Sequence, residues 1–429
     1  MRSRKRRGGG PSIRAGFAGV RGACAGRRAG LAACALFLAA AQRAQGVEYR
    51  LDGSMALGQQ YNSNLLLSQP AEAAAATGLD LLGGLSAGEE DWGASGKLRL
   101  SNWFYASSNN IDLQNEYFDV DAFLLGERSR WSLAGNVTDD TILSSQTDGT
   151  QGLILTRARR DTQSVAPSWS YSLDEKNQAS LGYTYSHSRY HYADGRMISA
   201  DNHTVSSSFA HQFNERFSAS ESLSYTRYDS QSTYQYISDY VSFSQGLKYA
   251  LTPTVALAFS GGLQHSQTQQ IFRQPATFLL NGRLVTQVPP SVKNSQLWPL
   301  LNVSASKRFE TADLALSYSR QITPSVNGVL LQVDSFSLGG NKQFSEVLTG
   351  GLSLAYSHQY GTQSINTVGV SDYAYYSASG DLGYRFSGNL ALSASYRYQL
   401  RQLSGAASQN TDNHVVFLNI KYEFDSKYF

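Results

Sequence analysis

From Val416 onward, the segment His414–Phe424 places an apolar or aromatic residue at every second position: Val416, Leu418, Ile420, Tyr422 and Phe424. The intervening set ends in Asn419, Lys421 and Glu423, with Phe417 its one bulky member. A strand sends successive side chains to opposite faces, so this stretch has one greasy face and one mostly wet face. The same period runs through most of the chain. Leu181, Tyr183 and Tyr185 interleave with Ser180, Gly182, Thr184 and Ser186. Leu314, Leu316 and Tyr318 interleave with Ala315, Ser317 and Ser319, and Leu352, Leu354 and Tyr356 with Ser353, Ala355 and Ser357. Leu390, Leu392, Tyr396 and Tyr398 alternate with Ser393, Ser395, Arg397 and Gln399. In each case Leu occupies the turn-proximal half and Tyr the positions beyond it.

A soluble β-sandwich would share this alternation, but its second face would meet bulk solvent and carry many Lys and Glu. Here the second face is Ser, Gly, Ala and Thr, which suits a confined lumen. The leucines then form an apolar band bordered by an aromatic girdle. The 26 Tyr and 19 Phe against 9 Pro and 3 Met agree with that reading. No run of 18 apolar residues follows residue 46, so no transmembrane helix is predicted. The pattern predicts an all-β chain folded as a transmembrane antiparallel up-and-down β-barrel.

Turns set the strand count. Tight polar turns stand at Gly88–Asp91, Gly126–Ser129, Asp174–Asn177, Asn214–Arg216, Thr252–Thr254, Glu310–Ala312, Ser345–Val347 and Ser387–Asn389. Eight turns between a first strand at Val47–Leu57 and a last at His414–Phe424 predict about 18 strands, with 16 or 20 if one hairpin is miscounted. An even number puts both ends of the barrel in the periplasm. Pro167 and Pro299 fall inside strands and are expected to mark bulges or strand starts, because proline cannot donate to a ladder. The long loop Ile271–Lys293 contains Phe278–Thr286, whose Asn281-Gly282 dipeptide signals an independent hairpin. Its apolar residues would be buried in the bore or at its rim, or the hairpin stands above the membrane as a strand extension, as long outer loops do in such barrels.

Residues 1–46 read as a signal peptide removed from the barrel of residues 47–429. Basic residues from Arg2 to Arg28 precede the apolar run Leu31–Ala41, which is too short to span a bilayer. A cleavage site follows at Ala39-Ala40-Ala41 or Ala44-Gln45-Gly46. Cys34 lacks the preceding apolar run of a lipoprotein box, and Arg27-Arg28 lacks the context of a twin-arginine signal. Ten of the 36 basic residues and none of the 33 acidic ones lie in this segment. What remains carries 26 basic against 33 acidic residues, a net charge of −7 rather than +3. A nucleic-acid partner thereby loses its electrostatic support. Cys24 and Cys34 leave with the signal, so neither a disulfide nor a cysteine metal site is expected.

The candidate functional residues are charges on the predicted inner phase. Lys97 and Arg99 lie on one strand, Asp119 and Asp121 on the next, and Arg385, Arg397, Lys421 and Glu423 on the last strands. Arrays of Arg and Asp opposed across a wall make a transverse field in pores, or pair to stiffen the wall. The histidines, including His187 and His191, read as rim residues, since no acid and nucleophile are tied to them by spacing. Their i, i+4 separation suits metal ligation on a helix, not on a strand. No cofactor is implied.

Two resemblances extend this reading. Leu418, Ile420, Tyr422 and Phe424 resemble the C-terminal β-signal read by the barrel-assembly machinery of the outer membrane, although Asp425–Phe429 follows and Phe429 is out of phase with Phe424. Gln60-Tyr61-Asn62-Ser63-Asn64-Leu65-Leu66-Leu67, Gly83–Gly88 and the run of hairpins resemble the β-barrel porin 2 family. Ser63 stands where that family's Tyr-x-Asp-Asn-Ile/Leu motif has Asp. The resemblance implies an outer-membrane channel in a Gram-negative cell, in contact with outer-membrane lipid, exporting an exopolysaccharide with periplasmic export components. The rivals are an outer-membrane barrel enzyme acting on lipid or surface protein, and a structural barrel with a plugged lumen.

Overall fold

The computed structural model describes residues 47–67, 69–106, 112–141, 159–191, 199–231, 234–272, 276–280, 283–288, 290–324, 330–361, 372–403 and 409–429. The predicted signal peptide and the Asn281-Gly282 turn lie outside them. Twenty strands follow in order: β1 (Glu48–Asn62), β2 (Ala74–Gly88), β3 (Trp92–Tyr105), β4 (Leu113–Leu125), β5 (Ser129–Thr141), β6 (Arg159–Ser172), β7 (Asn177–His191), β8 (Ser199–Asn214), β9 (Phe217–Gln231) and β10 (Tyr234–Thr252). They continue as β11 (Val255–Phe272), β12 (Ala276–Leu280), β13 (Arg283–Gln287), β14 (Val292–Arg308), β15 (Ala312–Pro324), β16 (Leu330–Gln343), β17 (Leu348–Gly361), β18 (Tyr373–Arg385), β19 (Leu390–Leu403) and β20 (Gln409–Tyr428).

Eighteen of these form one antiparallel sheet that closes when β20 pairs with β1. Closure leaves no sheet edge, which is what lets strands cross a bilayer with every backbone group paired. The remaining two, β12 and β13, make a separate hairpin as the loop sequence predicts. Among the described residues no helix is long and apolar enough to cross a membrane.

Register assigns the faces. Met55 pairs with Leu81 and with Tyr422, and Leu57 with Leu79 and Ile420, so these residues share the outer face. Leu316 and Leu354, both exposed, and half-buried Leu338 continue it. Tyr318, Phe336, Tyr356 and Tyr376 form the next outward row toward the long loops, with the Tyr356 and Tyr376 rings 4.9 Å apart. At the turn end Trp131 and Trp169, Phe213 and Phe217, and Tyr384 and Phe386 form a second row. A leucine band between two aromatic rows is the outer surface a bilayer requires.

The tight turns are held by their own side chains. Asp174 accepts from the backbone N–H of Lys176 and Asn177 at 2.7 and 2.8 Å. With the Asn177 amide these bonds hold its carboxyl below the usual carboxylate range. Asn214 accepts the N–H of Arg216 and Phe217 in the same way.

Neither proline makes a bulge or starts a strand. Pro167 and Pro299 pair in unbroken register with Leu133 and Leu263 on one side. On the other side each withholds the N–H its second neighbour needs. The β6–β7 ladder skips Ala166 and Pro167 and resumes at Ser168. The β14–β15 ladder does not resume: it ends at the Leu301–Arg320 pair, while β15 stays paired with β16 as far as Pro324.

A bulge does occur at the chain's last strand. Gly53 pairs with Phe424 but Leu51 with Lys427, a slip of one residue. Ser426 Oγ fixes it by donating to Asp52 at 2.6 Å. The slip turns Phe429, out of phase in sequence, opposite Tyr49, with which it exchanges both backbone hydrogen bonds. Phe424 and Phe429 therefore lie on the same face.

Candidate functional site: the bore

The inward residues of the 18 strands line a bore whose wall has two unlike sides. From β7 to β11 the inner set is dominated by Ser, Thr, Gly and Ala, with hydroxyls bridging adjacent strands: Ser180 to Ser208 at 2.6 Å, Thr204 to Thr226 at 2.9 Å and Ser222 to Ser244 at 2.7 Å. Lys248, near the turn end, is the one charged inner residue of that arc among the described residues.

The other side, running through β18, β19, β20 and on past β1 to β4, holds all eight charged candidates on its inner phase. Arg385 follows Asp381 on β18, Arg397 pairs with Ser379, and Lys421 pairs with Ala391 two residues before Glu423. Lys97 pairs with Asp119, Ser95 with Asp121, and Arg99 with Tyr117. Seven of the eight are exposed and Lys421 is half-buried. They share one arc and are not opposed across the wall, so any transverse field runs from a charged side to a hydroxyl side. Lys421 reaches Glu423 at 2.6 Å, Arg99 reaches Asp80 at 3.4 Å, and Asp119 accepts from Asn136 at 3.1 Å. Such exposed pairs contribute little stability.

The bore is open toward the turns and filled toward the loops. Inner residues near the loops are buried on every side: Val333, Gln359, Ser230, Ser238, Tyr375, Gln399 and Arg401. One cause is visible at the β14–β15 split. Ile322 of β15 and Leu330 of β16 pack against Tyr228, Tyr240 and Ala200, inner-wall residues of β9, β10 and β8. The end of the β15–β16 hairpin has therefore left the wall and lies inside the bore. At its root Arg320 donates to both oxygens of Asp334 at 2.7 and 2.8 Å, and Tyr360 adds a third bond at 2.8 Å. A second packed cluster joins Ala74, Ala76, Tyr105 and Leu113 with Leu65 and Trp103. Trp103 lies over Gly58 and Gly78, where a Cβ would come within 2.7 and 2.5 Å of its ring.

The sequence reading missed this hairpin end and several inner groups. Arg160 grips Asp140 through two bonds of 2.8 and 3.0 Å, and Arg159 grips Asp139 on the outer face. The doubled Asp139-Asp140 and Arg159-Arg160 flanking one loop was the available signal. Arg401 donates to the Leu67 carbonyl at 2.7 Å and is almost wholly buried. The Asn62–Leu67 motif ties the first strand to the last: His414 donates its N–H to Ser63 Oγ at 2.8 Å, and Asn64 donates to Asn413 at 2.9 Å. Ser63 thus supplies the acceptor that an aspartate there would also supply.

The histidines lie on the outer face, His211 near the turns and the others toward the loops. His187 meets Asp201 at 2.8 Å and His191 meets Asp161 at 2.6 Å. These two histidines have separate acids, and among the described residues no group of three or more His, Cys, Asp or Glu could hold a metal. The single serine hydroxyl within reach of a histidine ring among them is Ser295, 3.5 Å from His265.

No protein-family model matches the chain, and no curated protein matches it in sequence. Solved structures similar to it include OccAB4 of Acinetobacter baumannii, at 11% identity over 90% of this chain and 99% of that one, with a TM-score of 0.47. OpdK of Pseudomonas aeruginosa, solved with vanillate, is 13% identical over 88% of this chain and 99% of that one, with a TM-score of 0.44. The open form of the ferric-catecholate import receptor Fiu of E. coli K12 is 8% identical over 87% and 82%, with a TM-score of 0.45.

Proposed function

We propose that this barrel is an outer-membrane channel that passes an exopolysaccharide. The observation that carries the reading is the hydroxyl-lined arc from β7 to β11, set beside a charged arc seven of whose eight candidate side chains stay exposed in the open half of the bore. A serine or threonine hydroxyl both donates and accepts, so a wall of them exchanges hydrogen bonds with successive sugar hydroxyls without holding any one. Passage needs binding strong enough for entry and weak enough for exit. The charged arc suits a chain carrying occasional carboxylates, with Lys97, Arg99, Arg385, Arg397 and Lys421 as the cationic contacts. Barrel-assembly machinery, outer-membrane lipid and periplasmic export components are the partners this reading implies.

The test is single-channel recording in planar bilayers with purified polysaccharide added to one side at a time. Transient blocks that lengthen with chain length, and that are more frequent from the turn side where the bore is open, are expected. Ohmic currents indifferent to polysaccharide on both sides would overturn the solute assignment. An esterase or peptidase activity lost on Ser295→Ala would favour the enzyme instead.

A further inference from the structure

Between the two aromatic rows, the outward face contains one carboxylate among the described residues, Glu221 of β9. Its position lies midway between Phe217 and Tyr225 on the same strand, at the centre of the apolar belt. Directly opposite on β10 stands Gln245, whose amide donates to Glu221 Oε1 at 3.0 Å. Both side chains are exposed, and their register places them on the outer phase with Leu223, Phe243 and Leu247, not in the bore. Hydrocarbon offers neither residue a hydrogen bond, and ionisable groups at this depth are costly wherever lipid is their only neighbour.

The bond between them leaves one amide N–H, one carboxyl oxygen and the Gln245 carbonyl oxygen of the pair without a partner. That remainder is self-complementary: what one copy lacks as donor, a second supplies. Two of the flanks are small, with Ala219 below Glu221 and Gly261 paired beside Gln245, and Phe209 of β8 pairs with Glu221 on the far side. A Cβ at Gly261 would meet only its own strand's Phe259, at 3.5 Å, so the surface there is low and open. Small residues around a polar centre let two membrane-embedded walls approach closely.

We infer that the β9–β10 face is a contact between two copies of this chain. About a twofold axis along the membrane normal, Gln245 of each copy donates to Glu221 of the other, closing a ring of four side chains. A twofold contact uses the same patch on both members, which a donor–acceptor pair at one height satisfies. Leu223, Phe243 and Leu247 surround the ring and keep it dry.

The test uses the full chain, exported and kept in native membranes, with Leu247→Cys and a short bismaleimide. The parent chain, with its own Cys24 and Cys34, is the background control, and Leu354→Cys on β17 is the control for a distant wall. Leu247→Cys should give an adduct of twice the chain's mass, absent from both controls. Adding Glu221→Leu should abolish the adduct while heat-modifiable migration persists, and Glu221→Gln, which keeps a donor and an acceptor, should retain it. Gln245→Leu, which leaves the carboxyl in place, should abolish it independently. No adduct at Leu247→Cys above the controls, an adduct insensitive to both leucine variants, or an adduct with a chain of another mass would each overturn the inference.

Discussion

Leu316, Leu354 and Leu392 show how much a single residue reports in this fold. Leu316 and Leu354 are exposed on the outer face, and Leu392 pairs with outward Ile420, all three lying between the aromatic rows. Arginine at any of them would put a guanidinium near the bilayer centre at a cost of about 2–4 kcal/mol. Denaturant titrations of the refolded variants should show that loss at all three. Wild-type midpoints at all three would mean that the belt does not face lipid. Their face was readable from sequence because a period of two is rigid: once Leu316 is outward, Ser317 cannot be. The same rule placed Lys97, Asp119, Arg385 and Glu423 on the inner phase. It could not place them on one arc, because arc position depends on strand order and closure, which no single residue records. Nor could it foresee that Phe429 rejoins the face of Phe424, since a bulge adds one residue and inverts the phase beyond it.

At the scale of elements, the β15–β16 hairpin is the consequential one. The two ends of β14 behave differently: below Leu301 it is wall on both sides, and above it Pro299 leaves β15 without a ladder donor. Freed there, the hairpin end can seat Ile322 and Leu330 against Tyr228 and Tyr240. From sequence the candidate for the inward role was Phe278–Thr286, with a strand extension above the membrane as its alternative, and that hairpin does form, in a sheet of its own. Proline's meaning was legible and its outcome was not, because a missing N–H permits a bulge, a skipped pair or a split, and packing chooses among them. Leu330→Ser should unseat the hairpin end, since truncating a fully buried leucine costs roughly 2–5 kcal/mol. Single-channel conductance should rise, with the barrel still heat-modifiable. Unchanged conductance would show that the restriction lies elsewhere. Deleting residues 276–288 in the Leu330→Ser background should raise conductance further if β12 and β13 also occupy the bore, and leave it unchanged if they stand above it.

For the molecule as a whole, closure is the property that every strand depends on. Among the described residues β20 alone joins β19 to β1, pairing with Leu390–Leu403 on one side and Arg50–Asn62 on the other. Removing residues 413–429 would strip both neighbours of most of their partners and leave two edges in hydrocarbon, where each unpaired backbone group costs several kcal/mol. No inserted barrel should survive, and outer-membrane fractions should lack the heat-modifiable band. A shorter deletion separates closure from the terminal aromatic. Without residues 425–429 the ladder from Gly53–Phe424 to Asn62–Val415 is intact, and β19 loses no partner. The Leu51–Lys427, Arg50–Tyr428 and Tyr49–Phe429 pairings disappear, with the Ser426–Asp52 bond and the bond from the Asn389 amide to Asp425. That barrel should therefore remain stable once refolded in detergent. In cells its yield tests the proposed reading of a terminal aromatic by an assembly machinery: insertion at parental level assigns the signal to Phe424, and failure to insert a chain that refolds in vitro assigns it to Phe429. A chain lacking residues 413–429 that still inserted would refute the requirement for closure itself.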